Sequence, residues 1–306
     1  MEMILLWKGP EFKPYSCASM DLTADWLKQN LVLVVGKGGV GKSTLAQAAA
    51  HALAARGKRT LLCRVLQMSE AEQVLRERAR NLWEVTLNPT ECFREYVAMK
   101  LRVKTLATFI LGNRVMQYLG KAAPGVREMV LLGKFWHERT RYDHVVVDMP
   151  STGYALTMLH TPFNFASLFP GGPIYHDAMA MIGTLSDPVQ TAIVAVALAE
   201  EMPVQESLEL AAKLRALMPK NVAWLVMNRL ISSPEAVGLD FAANGSRPLH
   251  PALAALSHRL LRVRAQKEVL DGLAGLWRGH PPVLIPEIQR TAEAERVREI
   301  EALVRA

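Results

Sequence analysis

The chain has 306 residues, 50% of them hydrophobic and 21% charged, with a formal net charge of +7. At this length roughly 75% of the unfolded surface can be buried, so a core needs no covalent staples. Three cysteines, Cys17, Cys63 and Cys92, none in a C-x-x-C pair, exclude a disulfide scaffold and argue against a cysteine-based zinc or iron–sulfur site within one chain.

Residues 1–19 read as an irregular extension without the layout of a secretory signal, and a cytoplasmic chain is the expectation. The run Leu31-Val32-Leu33-Val34-Val35 is a strand buried on both faces that ends in glycines. A helix over Ser43 to Ala55 and a strand over Thr60 to Val65 follow. The basic run Arg76-Glu77-Arg78-Ala79-Arg80 reads as a solvated helix face rather than a nucleic-acid stripe. A strand at Val145 to Val147 ends at Asp148, and further strands are predicted at Thr191 to Ala197, Val222 to Met227 and Val283 to Ile285. Helices are predicted over Val204 to Leu217 and Ala292 to Arg305. Strands alternating with helices predict an α/β fold, a mostly parallel sheet sandwiched by helices. Two helical stretches, about 91–138 and 156–185, interrupt the alternation and read as insertions forming a helical subdomain at one sheet edge. Phe169-Pro170-Gly171-Gly172-Pro173 breaks the second of them. With no linker rich in Pro, Gly or Ser, residues 20–306 are expected to form a single domain. No apolar run approaches the ~20 residues that a membrane span requires.

The segment carrying chemistry is Gly36-Lys37-Gly38-Gly39-Val40-Gly41-Lys42-Ser43-Thr44, between a predicted strand and a predicted helix. This is the context that G-x-x-x-x-G-K-[ST] requires. Glycines let backbone N–H groups curl around phosphate oxygens, and the amides at the helix start add partial positive charge. Lys42 would reach the β- and γ-phosphates of ATP, while Ser43 and Asp148 would hold Mg²⁺. Gly36, Gly38 and Gly41 also satisfy G-x-G-x-x-G. A dinucleotide site would want an acid at the end of the second strand, where this chain has Arg64. An NADP version using Arg64 leaves Lys42 and Ser43 unexplained, so the triphosphate reading is preferred.

Lys37 makes the loop a deviant Walker A motif. Together with Asp148-Met149-Pro150-Ser151-Thr152-Gly153-Tyr154, the sequence resembles the anion-transporting ATPase family. That family includes the arsenite-pump ATPase and the ATPase that targets tail-anchored membrane proteins. The resemblance extends across most of residues 30–290, through Glu200 to Glu206, Met227-Asn228-Arg229 and Leu284-Ile285-Pro286-Glu287. It implies a dimeric ATPase that closes on ATP, with Lys37 crossing to the partner's phosphates. It further implies a switch at Asp148 to Tyr154, Asn228 on the adenine and Pro286 flanking it. The plainer alternative for Asn228 is a strand-end cap, while Glu206 reads as a first-turn carboxylate favoured by the helix dipole.

The chain also departs from the family. The aspartate expected after the second strand is replaced by Arg64-Val65-Leu66-Gln67-Met68-Ser69-Glu70, where Glu70 or Glu72 could substitute for it but read rather as the start of a helix capped by Ser69. Tyr154 stands where many members carry His, and the three cysteines match no arsenite-binding trio. Two readings therefore stay open: an ATP-hydrolysing switch for an unknown protein client, or a degenerate nucleotide-binding subunit. The dimer is a homodimer or a heterodimer with a paralogue. A positioning ATPase on membrane or nucleic acid is the third reading. Met99, Leu101, Leu106, Phe109, Ile110, Val115, Met116 and Leu119 could line a client groove, against the plainer reading of helical core or dimer packing. Val297, Ile300 and Val304 share one face of the last helix, which reads as packing rather than membrane binding.

Overall fold

The computed structural model describes residues 25–66, 72–101, 125–231, 249–288 and 292–305. After a 3-10 turn, Asp25–Leu27, the elements run β1 (Leu31–Gly36), α1 (Lys42–Ala55), β2 (Thr60–Val65), β3 (Arg76–Ala79), β4 (Leu82–Leu87) and α2 (Pro89–Leu101). There follow α3 (Val126–Glu138), β5 (His144–Ser151), α4 (Thr152–Leu168), α5 (Gly172–Ser186), β6 (Thr191–Leu198) and α6 (Glu201–Leu217). The last elements are β7 (Trp224–Leu230), α7 (Leu249–Leu276), β8 (Val283–Pro286) and α8 (Glu293–Arg305).

The eight strands form one sheet in the order β3-β4-β2-β5-β1-β6-β7-β8. All neighbours are parallel except β3, which runs antiparallel to β4 at the edge. The chain leaves β1 for strands on one side and returns through β5 to those on the other. The crevice at the carboxyl ends of β1 and β5 is therefore where a parallel sheet receives a ligand.

Both faces of the sheet are covered, which is why its central strands are apolar without alternation. On one face Leu31, Leu33, Val145, Val147, Ile193 and Ala195 pack with Leu132 and Phe135 of α3, Met158 and Leu159 of α4, Met181 of α5 and Leu214 of α6. On the other, Val32, Val34, Leu62, Val146 and Val194 pack beneath α1, with Trp26, Val297 and Ile300. The alanines of α1, from Ala46 to Ala54, are buried. Their small side chains let the helix lie close between the sheet and α8. The C-terminal helix thus uses its apolar face for packing.

The helical stretches place α2 and α3, then α4 and α5, in one group of helices over the first face. The break falls between α4 and α5 as expected. Residues 102–124, with Leu106, Phe109, Ile110, Val115, Met116 and Leu119, lie outside the described residues, as do residues 1–19 and the run Gln67 to Glu70.

Three local expectations are corrected. Arg76 to Ala79 is a fully exposed strand, not a helix, and it turns at Asn81, whose φ is +64°. A charged run with no apolar partner on either face reads alike as helix or as edge strand, and pairing with β4 decides it. Glu72 is exposed on irregular chain and begins no helix. The strand expected at Val222 is β7, displaced to Trp224–Leu230.

Candidate phosphate-binding site

The glycine loop follows β1 directly and runs into α1. Gly36 has φ +151°, and a Cβ there would lie 2.3 Å from the Val196 carbonyl oxygen. Gly41 has φ +100°, and a Cβ there would lie 2.3 Å from Asn228 Nδ2. Both positions demand glycine, for backbone conformation and for close approach. Around Gly38 and Gly39 nothing lies within 4 Å of where a Cβ would stand. The loop is thus tied down at both ends and open over its middle, an arrangement that leaves room for an anion.

Lys42 is the first residue of α1, and its Nζ donates to the Lys37 carbonyl at 2.9 Å. Burial lowers its pKa, and the nearby Asp148 carboxylate partly offsets the loss. Asp148 is itself buried and its pKa is raised by desolvation, opposed by a hydrogen bond from the Ser43 hydroxyl and by the charges of Lys42 and Arg64. Strand β5 continues to Ser151, so Asp148 sits three residues before the strand's end, opposite Val34 of β1. A hydroxyl and a carboxylate in contact beside the loop are two hard oxygen donors, a set that suits Mg²⁺. Thr44 lies in the first turn of α1, half-buried.

Asn228, near the end of β7, reaches over β6 and donates Nδ2 to the Val40 carbonyl at 2.8 Å. Its Oδ1 accepts from the Arg229 N–H at 2.9 Å, the capping role. Arg229 has φ +57°. Pro286 stands one strand further out, paired with Leu230, and is buried. The structure therefore gathers Gly36 to Thr44, Asp148 and Asn228 at one place and leaves Pro286 on the flank.

Lys37 Nζ forms an ion pair with Glu206 Oε1 at 2.7 Å. Glu206 is the sixth residue of α6, in its second turn, so the first-turn reading is corrected. The acid in the first turn is Glu201. Two further contacts went unread in the sequence. Arg64 Nε lies 2.5 Å from Glu84 Oε1, and Arg78 Nε lies 2.5 Å from Glu84 Oε2. Gln47 of α1 donates to Glu293 of α8 at 3.0 Å. In the sequence Arg64 reads only as a residue for a dinucleotide's extra phosphate, and its place near the end of a buried strand, facing the ligand crevice, is the signal for its contact with Glu84.

Cys63 and Cys92 are free and buried. Desolvation raises both thiols, that of Cys92 to about 12. They behave as small hydrophobes. Among the described residues no cluster of His, Cys, Asp or Glu is arranged to hold a metal, and no helix is long and apolar enough to cross a membrane. A separate cavity of about 560 Å³ lies between α2, α3 and α5, lined by Tyr96, Met99, Trp136 and Met181 among others.

A family profile described as anion-transporting ATPase matches residues 29–170, which spans the glycine loop, Asp148 and α4. ATPase BagA of Mycobacterium tuberculosis is 32% identical over 238 residues, covering 70% of this chain and 69% of BagA. The arsenical pump-driving ATPase of Acidiphilium multivorum is 27% identical over 247 residues, 69% of this chain but 41% of that protein. Its counterpart in Escherichia coli is 25% identical over 240 residues, 68% of this chain and 40% of that protein. The glycine loop on a mostly parallel sheet and these matches lead to one assignment: the chain belongs to the anion-transporting ATPase family.

Proposed function

We propose that the chain binds ATP with Mg²⁺ at the Gly36–Thr44 loop, hydrolyses it, and acts as a dimeric switch for a protein client. The observation that carries this reading is the meeting of Lys42, Ser43 and Asp148 at the mouth of the glycine loop. Backbone N–H groups from Gly38 to Ser43 would bind the phosphates, and Lys42 would exchange the Lys37 carbonyl for phosphate oxygens. Ser43 and Asp148 would hold Mg²⁺, which when bound supplies positive charge against the charge that develops on the phosphates. Asn228 would release Val40 or stay on it while the adenine lies beside it, with Pro286 flanking.

The dimer is proposed from Lys37, the residue read as marking a deviant Walker A loop. Its side chain is 41% exposed and held by a partner that is 34% exposed, so the pair is worth about 0–1 kcal/mol and can be exchanged. Lys37 would then cross to the phosphates of a second subunit, a homodimer partner or a paralogue, where it would offset developing charge. The client is proposed to be a protein; among the described residues the two cysteines, Cys63 and Cys92, present no accessible thiolate. Met99, half exposed beside the cavity at α2, is the described part of the proposed client surface.

One observation favours the second reading, a nucleotide-binding subunit that hydrolyses little. The end of β2 carries Arg64 where the family's water-positioning acid is expected, and Glu72 is exposed on irregular chain. Calorimetric titration with MgATP tests the site: wild type binds, and Lys42→Ala abolishes binding. Equal affinity in the two proteins overturns the assignment.

A further inference from the structure

Arg64 is the register partner of Asp148 in the neighbouring strand. Leu62 and Val146, two residues earlier on each strand, both lie under α1. Residues two apart share a face of a strand, so Arg64 and Asp148 lie on the face that carries the phosphate loop. Arg64 is also close enough for its charge to act on Asp148.

The guanidinium is braced. Its Nε edge meets Glu84 at 2.5 Å, and the other oxygen of the same carboxylate meets Arg78 of the edge strand at 2.5 Å. Glu84 is only 12% exposed and Arg64 30%. One carboxylate shared between two guanidiniums does not neutralise Arg64 by itself, and the other negative charge facing it is that of Asp148. The pair with Glu84 is an ion pair in which the buried Arg64 Nε–H makes no hydrogen bond, so charge holds the guanidinium in place and its donors are not used up by Glu84. A planar fork can grip a carboxylate on one side and a phosphate on another, which an ammonium cannot do.

Strand order gives the site a direction. Asn228, on β7, lies to one side of the loop that follows β1, while Asp148 on β5 and then Arg64 on β2 lie to the other. A nucleotide with its base near Asn228 would extend its terminal phosphate toward Asp148 and Arg64. Arg64 therefore stands at the end where ATP differs from ADP.

We propose that Arg64, positioned by Glu84 and Arg78, contacts the terminal phosphate of a bound nucleoside triphosphate and makes the site prefer triphosphate over diphosphate. This rests on the nucleotide reading above. The test is calorimetric measurement of MgATP and MgADP affinity on the full chain, for wild type, Arg64→Gln, Arg64→Lys and Lys42→Ala. Loss of charged hydrogen bonds to one phosphate should cost Arg64→Gln roughly 10- to 100-fold in ATP affinity, with ADP affinity unchanged. Arg64→Lys keeps the charge but not the fork, and should retain only part of the ATP preference. If Arg64 merely braces the strands, both affinities fall together or neither changes, and an unchanged ATP-to-ADP ratio in both variants overturns the proposal. Should Arg64→Gln fail to fold, the ratio in Arg64→Lys decides. Wild type that binds neither nucleotide would overturn the underlying reading instead, a different result from binding with an unchanged ratio.

Discussion

Burial and charge oppose each other at Asp148. The carboxylate is 8% exposed, and desolvation raises its pKa despite Ser43, Lys42 and Arg64. Lys42 suffers the complementary penalty, its pKa lowered by burial. Two charges held out of water without full compensation are a cost in folding that a ligand would relieve. Asp148→Asn keeps the size and a hydrogen-bonding group for Ser43 while removing the charge. We expect it to raise the thermal midpoint by ~2 °C and to abolish the Mg²⁺ dependence of ATP binding. A lowered midpoint would show that the ionised carboxylate stabilises the fold. At this scale much of the site was legible, because G-x-x-x-x-G-K-[ST] compresses its chemistry into adjacent residues. What escaped was contact at long range. Glu206 meets Lys37 across 169 positions of sequence, and Glu84 meets Arg64 only because β4 pairs with β2.

Elements were readable where hydrophobic period forced a single answer. The continuous run of β1 could hardly be anything but a doubly covered strand, and α1, α4, α5 and α6 emerge close to their expected spans. The edge β3-β4 hairpin was not legible. Arg76 to Ala79 offers no buried side chain, and the alternation in Leu82–Leu87 lies between two charged segments that obscure it. Helix α8 shows how a distant element supports the site. Val297 and Ile300 are buried against the face that holds α1, and Gln47 bonds Glu293 at the start of α8. We expect Ile300→Ala to cost about 2–4 kcal/mol in urea unfolding, because Ile300 is 3% exposed. An unchanged unfolding midpoint would mean that α8 packs too loosely to brace the phosphate-loop helix.

For the molecule as a whole, the alternation of strands and helices was enough to foresee the parallel sheet, whereas the strand order could not be read because it depends on which crossovers pass over β5. The order matters, since it puts Asn228 and Arg64 on opposite sides of the glycine loop. It also leaves Lys37 at the surface, tethered to α6 of its own chain by Glu206. If Lys37 serves a second subunit, that tether must open. We expect Lys37→Ala to bind ATP normally but to stay monomeric in light scattering with ATP. Glu206→Gln should dimerise at lower protein concentration than wild type. An unchanged oligomer profile for Lys37→Ala would remove the role across a dimer.

The most direct measurement is single-turnover hydrolysis of ATP with Mg²⁺ by the full chain, beside Lys42→Ala. We expect phosphate release from wild type that Lys42→Ala abolishes. Phosphate release at the same rate from both proteins would contradict the assignment of Gly36 to Thr44 as the site, and tight ATP binding with no turnover in wild type would contradict hydrolysis itself.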